Sequence, residues 1–142
     1  MKLLLISTTF LTLLTISCNK KDNNLSKSEL LTSGSWKLTA VMADDDGNGT
    51  YETDSYASFP DCFRDNYYTF RTNGELELNE GTTKCDAGDP QTETGTWQLT
   101  QNDTHLVFAG DEYKLEELTA STLKWKEDYS GGRTALVSFT KR

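Results

Sequence analysis

Several residue types on which enzymes and nucleic-acid-binding proteins depend are scarce in this sequence. Its 142 residues include one histidine and two prolines, and 14 lysines and arginines stand against 22 aspartates and glutamates. The resulting net charge of −8 at neutral pH argues against binding to the phosphate backbone of nucleic acid. The sequence shows neither a serine nucleophile elbow nor a reactive cysteine that its single histidine, His105, could activate. We therefore predict a protein that is not an enzyme.

A run of apolar residues long enough to cross a membrane is also missing. The chain begins with one positive charge, Lys2, followed by an apolar stretch that ends at Ile16. A transmembrane helix needs about 20 such residues. A charge, a short apolar core and a small residue before a cleavage point are the parts of a secretion signal. We therefore predict that the protein is exported.

The segment Leu14-Thr15-Ile16-Ser17-Cys18 resembles the lipobox of bacterial lipoproteins. The resemblance implies that residues 1–17 are a signal peptide and that Cys18 is lipidated, with acyl chains such as palmitate holding it in a membrane of the cell envelope, the outer membrane in such lipoproteins. Ordinary signal cleavage is the alternative. Residues 18–30 are polar after the cysteine and are predicted to form a flexible tether. The sequence leaves open whether the domain faces the periplasm or the cell surface.

The cysteine count indicates one disulfide. Three cysteines are present, and lipidation of Cys18 leaves Cys62 and Cys85 as the only internal pair. An exported compartment permits disulfides, and closing this loop would stabilise the fold by roughly 3 kcal/mol. Two cysteines and one histidine are too few ligands for a typical zinc site.

Beyond the tether, apolar and polar residues alternate with period two, which is typical of half-buried strands. Turn residues such as Asn73-Gly74 and Ser130-Gly131-Gly132 separate the runs. We predict an all-β domain of about eight antiparallel strands, closed as an up-and-down barrel because closure removes exposed strand edges. A sandwich is the alternative. Residues 25–33 could form a short helix, and the secondary structure of residues 54–65 is ambiguous. The predicted inward face of the first strand is Trp36, Leu38, Ala40 and Met42.

A family resemblance supports the barrel. Gly34-Ser35-Trp36 and Gly95-Thr96-Trp97 resemble the Gly-x-Trp opening of lipocalins, and the whole stretch 31–142 resembles the lipocalin-like domains of Bacteroidetes lipoproteins. The resemblance implies a small barrel and non-enzymatic binding of a small apolar ligand in the barrel or at its mouth. The alternative is an envelope or cell-surface interaction module, in which a filled barrel binds a protein or glycan through its loops.

Aromatic residues on the predicted strands are expected to occupy the barrel interior. They could line a ligand cavity, but a small barrel can also be filled by its own side chains. So many bulky rings favour a mostly filled interior, and a shallow site at one mouth is compatible with either case. The residues are Trp36, Tyr68, Phe70, Trp97, Phe108, Tyr113, Trp125 and Phe139.

An acidic segment that begins at Asp44 is a candidate calcium loop. Its oxygen-bearing residues fall at alternate positions, with Gly49 at the sixth position, where such a loop turns sharply. The twelfth position is Ser55, so Glu52 or Asp54 would have to replace the usual bidentate glutamate. The alternative is an acidic, glycine-rich turn between two strands. The candidate ligands are Asp44, Asp46, Asn48, Thr50, Glu52 and Asp54.

Overall fold

The computed structural model describes residues 25–142. The predicted signal peptide, the predicted lipidation site Cys18 and the first part of the predicted tether lie outside the described residues. Among the described residues, no helix is long and apolar enough to span a membrane. The first element is a short helix, α1 (Lys27–Thr32), which occupies the end of the predicted tether. Ser26 and Glu29 form a capping box that satisfies free backbone N–H groups at its start.

The remaining elements are almost all strands. Between β2 and β3 the chain forms a 3-10 helix (Tyr56–Ser58) and the helix α2 (Asp61–Arg64), and a second 3-10 helix (Ser130–Gly132) joins the last two strands. The strands are β1 (Ser35–Asp44), β2 (Thr53–Asp54), β3 (Tyr67–Phe70), β4 (Glu75–Asn79), β5 (Thr92–Thr100), β6 (His105–Phe108), β7 (Asp111–Leu118), β8 (Thr122–Asp128) and β9 (Thr134–Lys141).

The strands close into a barrel. From β3 to β9 each strand pairs antiparallel with the next, β1 pairs with β3, and β9 returns to pair with β1. The two-residue strand β2 pairs with the later part of β1 and stands outside the ring. The predicted all-β barrel is therefore confirmed, with eight strands in the ring and one short extra strand, and the sandwich is not formed.

The two ends of the barrel are built differently. At the end where β1 begins, which we call the closed end, α1 contacts both β3 and β7. Leu31 of α1 is fully buried, and its carbonyl oxygen accepts a 2.8 Å hydrogen bond from the indole nitrogen of buried Trp36. The opposite end, which we call the open end, carries the 3-10 helix Tyr56–Ser58 and α2, which both contact β1. It is formed by the loops 45–66, 80–91, 109–110 and 129–133.

The inward face of β1 differs from the predicted one. A bulge lies between Leu38 and Ala40, and an extra residue on one strand reverses which side chains face inward beyond it. Val41, 7 % exposed, pairs with inward Val137. Leu38 stays inward as predicted, whereas the predicted inward positions of Ala40 and Met42 are wrong.

Two loops at the open end are joined covalently and by hydrogen bonds. The predicted disulfide is confirmed: Cys62 in α2 is bonded to Cys85 in the β4–β5 loop. Buried Asn66 bridges the same loops. In the amide orientation that satisfies its neighbours, its nitrogen donates to the carbonyl oxygens of Cys62 and Glu80, at 2.9 and 3.0 Å. The carboxylate of Asp65 accepts three hydrogen bonds from 82–83, the shortest 2.6 Å. Burial raises the pKa of this carboxyl, but the hydrogen bonds together outweigh it and hold the pKa below its usual range.

Candidate functional site

An apolar recess at the open end lies where β1 ends and β9 begins. This first cavity has a volume of about 320 Å³. Its apolar walls come from strand residues that point inward and from two aromatic rings carried by the loops. Asp45 and Arg133, both exposed, lie at its rim. The apolar wall residues are Val41, Ala43, Phe59, Tyr129 and Ala135.

A second cavity, of about 210 Å³, opens through the wall of the barrel near the same end. The pairing between β5 and β6 involves only Trp97–Thr100 of β5. The first half of β5 therefore pairs with β4 alone. The strands diverge there and leave a gap. Gly95 faces this gap, and a Cβ atom added to it would meet nothing within 4 Å. The other apolar wall residues are Tyr68, Leu76, Leu78, Phe108 and Ala109.

Aromatic rings occupy the barrel below these cavities. Trp125 and Phe139 lie with ring centres 4.2 Å apart, and Phe108 stacks on Tyr113 at 4.7 Å. Tyr68 meets Phe139 edge to face at 5.7 Å, a favourable ring geometry. Of the eight residues predicted for the interior, Trp36, Phe70, Phe108, Trp125 and Phe139 are buried, and Tyr68, Trp97 and Tyr113 are partly buried and pack against that core.

One carboxylate lies among these rings. Glu127 follows Leu123 and Trp125 on the inward face of β8, and it pairs with buried Ala135 of β9. One of its oxygens accepts a 3.0 Å hydrogen bond from the indole nitrogen of Trp125. The other oxygen accepts a 2.5 Å hydrogen bond from the hydroxyl of Tyr129. Glu127 was not among the predicted interior residues, although it continues the alternation of β8.

The environment of Glu127 changes the ionisation of the neighbouring tyrosines. Burial, with a smaller contribution from the negative charge of Glu127, raises the pKa of Tyr113 to about 12. The same two causes raise the pKa of Tyr68. The pKa of Tyr129 is raised by burial and then by the hydrogen bond that its hydroxyl donates to Glu127. All three tyrosines are therefore neutral hydrogen-bonding groups at physiological pH.

The acidic segment after β1 is folded around its own backbone. The two carboxylate oxygens of Asp44, a buried residue, accept hydrogen bonds from the N–H groups of Asn48 and Gly49 at 3.0 and 2.9 Å. Asp46 also accepts the N–H of Asn48, whose side-chain oxygen accepts the N–H of Thr50. These contacts are those of an acidic, glycine-rich turn.

The other two candidate calcium ligands lie apart from this turn. Asp54 accepts the N–H of Ala57 at 3.1 Å and is thereby engaged with the following 3-10 helix, and Glu52 is exposed. Within residues 25–142 no three acidic, histidine or cysteine side chains are grouped so that they could hold a metal ion. The geometry thus favours the turn over the calcium loop.

His105, the single histidine, lies away from the cavities. It begins β6 near the closed end, and its Nδ1 atom lies 2.9 Å from the hydroxyl oxygen of Thr104. The apolar walls of the cavities, together with the tyrosine hydroxyls and carboxylates in and near them, can hold a molecule by burial and hydrogen bonds. An antiparallel barrel with such cavities at one end is a binding type of fold.

Comparison with known proteins identifies the family. A family model described as "Lipocalin-like domain" matches residues 32–125, and the chain belongs to that family. Its fold is similar to the crystal structure of a DUF4847 family protein from Bacteroides vulgatus ATCC 8482, with a TM-score of 0.53 and 14% sequence identity. That likeness covers 82% of this chain and 98% of the other, and at this identity it shows the fold alone. The search of curated proteins found no match.

Proposed function

We propose that the protein is an envelope lipoprotein that binds a small apolar ligand, without catalysis, at the open end of its barrel. The observation that carries this proposal is the pair of cavities lined by inward-facing apolar residues, at the end that α1 does not cover. Membership of the lipocalin-like family supports it, because such barrels are typically binding modules.

The cavity volumes limit the size of the ligand. Pockets for small molecules usually measure about 300–1,000 Å³, and the first cavity, at about 320 Å³, is at the lower limit. The ring of Tyr68 and those around it occupy the space beneath. A ligand of one or two fused rings, or a short chain, suits the mouth, whereas a long acyl chain has no channel to enter.

Anchoring through Cys18 fits this arrangement. Two or more acyl chains on one residue would hold a protein stably on a membrane. The described chain enters the barrel through α1 at the closed end. A tether from Cys18 would therefore attach the domain by its closed end and leave the open end directed away from the membrane, where it can receive a ligand.

The test of ligand binding uses the neutral fluorescent probe N-phenyl-1-naphthylamine. We expect saturable binding of one probe to the wild-type protein. Gly95→Leu should abolish or weaken binding at the second cavity, because the new side chain enters open space. Thr96→Leu places the same side chain on the outward face of the same strand and is the matched control. Ala43→Leu tests the first cavity in the same way.

The outcomes separate the possibilities. Loss of binding in Gly95→Leu or Ala43→Leu, with the control unchanged, assigns the probe to the corresponding cavity. Equal binding by all four proteins would mean that the probe binds elsewhere, and no saturable binding by the wild type would refute the small-ligand proposal. Near-ultraviolet circular dichroism verifies that each variant is folded.

The filled barrel favours a second candidate function, an interaction module that presents its loops to a protein or glycan. Phe63 in α2 and Tyr129 are 50% and 48% exposed at the open end, and exposed aromatic side chains are common anchors at interfaces. A photo-crosslinking amino acid at Phe63 should then capture a specific partner in intact cells. The control is the same substitution at Leu25, which is 49% exposed near the closed end.

A further inference from the structure

Glu127 is a negatively charged group in an otherwise apolar, aromatic part of the barrel. Its neighbours on β8 and β9 that share the inward face are Trp125, 2% exposed, and Ala135, 1% exposed. On its other side lies β7, where Lys114 pairs with Lys126. One residue further along, the antiparallel register therefore places Tyr113 opposite Glu127.

The charge of Glu127 has no counter-ion among the described residues. Each of the six ion pairs within residues 25–142 joins other side chains. The hydrogen bonds from Trp125 and Tyr129 occupy one site on each carboxylate oxygen, and a carboxylate has about four. Glu127 is partly buried and is therefore accessible to a bound molecule. The site thus has unused capacity to accept hydrogen bonds from a positive group.

The rings around Glu127 suit the same kind of group. The electron-rich faces of tyrosine and tryptophan attract cations. The ring centre of Trp125, which donates to this carboxylate, lies 5.4 Å from that of Tyr113 and 6.4 Å from that of Tyr68. The same faces also pack against apolar atoms. A carboxylate and several aromatic rings are complementary to a molecule with an apolar body and a positively charged amine.

The net charge of the chain adds to this preference. Asp45 and Arg133 lie at the first cavity and have opposite signs, and Glu93 lies at the second. The whole chain carries a net charge of −8, which attracts small cations and repels anions. An anionic ligand such as a fatty acid would place a second negative charge next to Glu127.

We propose that the open-end site is specific for small amphipathic amines, and that Glu127 binds the ammonium group while the surrounding rings bind the apolar body. This inference rests on the proposed ligand-binding function and names the chemical class of its ligand. Tyr129, at the rim, holds Glu127 through its hydroxyl and can shift as the amine enters, since its side chain is 48% exposed.

The test compares three probes of similar shape by isothermal titration calorimetry on the purified full chain. Tryptamine carries an ammonium group, 3-propylindole replaces it with a methyl group, and indole-3-propionate carries a negative charge. We expect tryptamine to bind at least about tenfold more tightly than 3-propylindole, as is usual for a charge-assisted hydrogen bond. Indole-3-propionate should bind most weakly.

Glu127→Gln assigns the preference to one residue. The amide keeps the size of the side chain and an oxygen acceptor but removes the charge, so tryptamine should lose its advantage while 3-propylindole binds as before. The control is Glu116→Gln, which removes an exposed carboxylate paired with Lys114 and should leave the preference intact. The wild-type comparison needs no variant and stands even if Glu127→Gln is unstable.

The two proposals fail in different ways. Equal binding of tryptamine and 3-propylindole to the wild type would overturn the amine specificity but leave the small-ligand function standing. Tighter binding of indole-3-propionate would do the same. A preference for tryptamine that survives Glu127→Gln would overturn the role of Glu127. If none of the three indoles bound, neither proposal would hold for a ligand of this size.

Discussion

Replacing Cys62 and Cys85 together by alanine removes the covalent link between α2 and the β4–β5 loop. The cysteines are 23 residues apart in sequence. In the chain-entropy model, opening a loop of this length costs about 3.4 kcal/mol at 25 °C, because the unfolded chain gains freedom. The hydrogen bonds of Asn66 and Asp65 still join the same two loops. The folded barrel should therefore keep its form, and the loss should come chiefly from the unfolded state.

This loss is large for a domain of this size. Single domains are stable by about 5–15 kcal/mol, so the double variant should lose between about a quarter and two thirds of that free energy. The corresponding fall in Tm is roughly 10–20 °C. The slope of the free energy against urea concentration should rise, because the uncrosslinked unfolded chain is more expanded and exposes more surface.

The assay is equilibrium urea unfolding followed by tryptophan fluorescence. Wild-type protein with the disulfide reduced is the matched comparison, and it should unfold at the same urea concentration as the double variant. A loss of less than about 1 kcal/mol with an unchanged slope would refute the entropic argument. Such a result would mean that the cross-link adds little beyond the hydrogen bonds between the loops.

Further predictions concern the anchor, the partly buried Tyr113 and one tight turn. Cys18→Ala should move the protein from the membrane fraction to the soluble fraction, as detected by immunoblotting, and unchanged retention would contradict the proposed anchor. Between pH 10, the ordinary pKa of tyrosine, and about 12, the pKa of Tyr113, the folded chain holds more protons than the unfolded chain, so stability should fall as the pH rises. Glu127→Gln should lower the pKa of Tyr113 in a tyrosinate absorbance titration, and an unchanged titration would mean that the two groups do not interact. Gly81→Ala should destabilise the fold by about 1–3 kcal/mol in urea unfolding. Gly81 has a φ of +68°, and an added Cβ would lie 2.5 Å from the carbonyl oxygen of Asp65. Unchanged stability of this variant would contradict that geometry.

Much of the fold could be predicted because the alternation of apolar residues has only a few physical solutions. Strands β6, β8 and β9 follow it without interruption, and the disulfide followed from the number of cysteines. Strand β1 is an exception, because apolar side chains occupy both of its faces, including Leu38, Ala40 and Val41. Either face could point inward, and only pairing with β9 decides where the bulge lies.

The candidate site was harder to predict because its parts depend on pairing and not on residue type. The second cavity exists because β6 is shorter than β5 and diverges from it. No local sequence pattern in either strand predicts this divergence. Glu127 continues the inward alternation of β8, but a charged residue is ordinarily assigned to the outside. A charged residue in phase with a buried run is the signal that could have identified it.

The two ends of the barrel show how a small domain can keep an open mouth. Burial of Leu31 and Trp36 stabilises the closed end, and this mode of stabilisation removes free space, because apolar cores pack densely. Equivalent packing at the open end would occupy the volume that a ligand needs. There the chain uses the Cys62–Cys85 link and the hydrogen bonds of Asp65 and Asn66, which join loops at the rim and leave the cavities free. The position of the cross-link is therefore a physical reason to look for the ligand at that end, independent of the cavity volumes themselves.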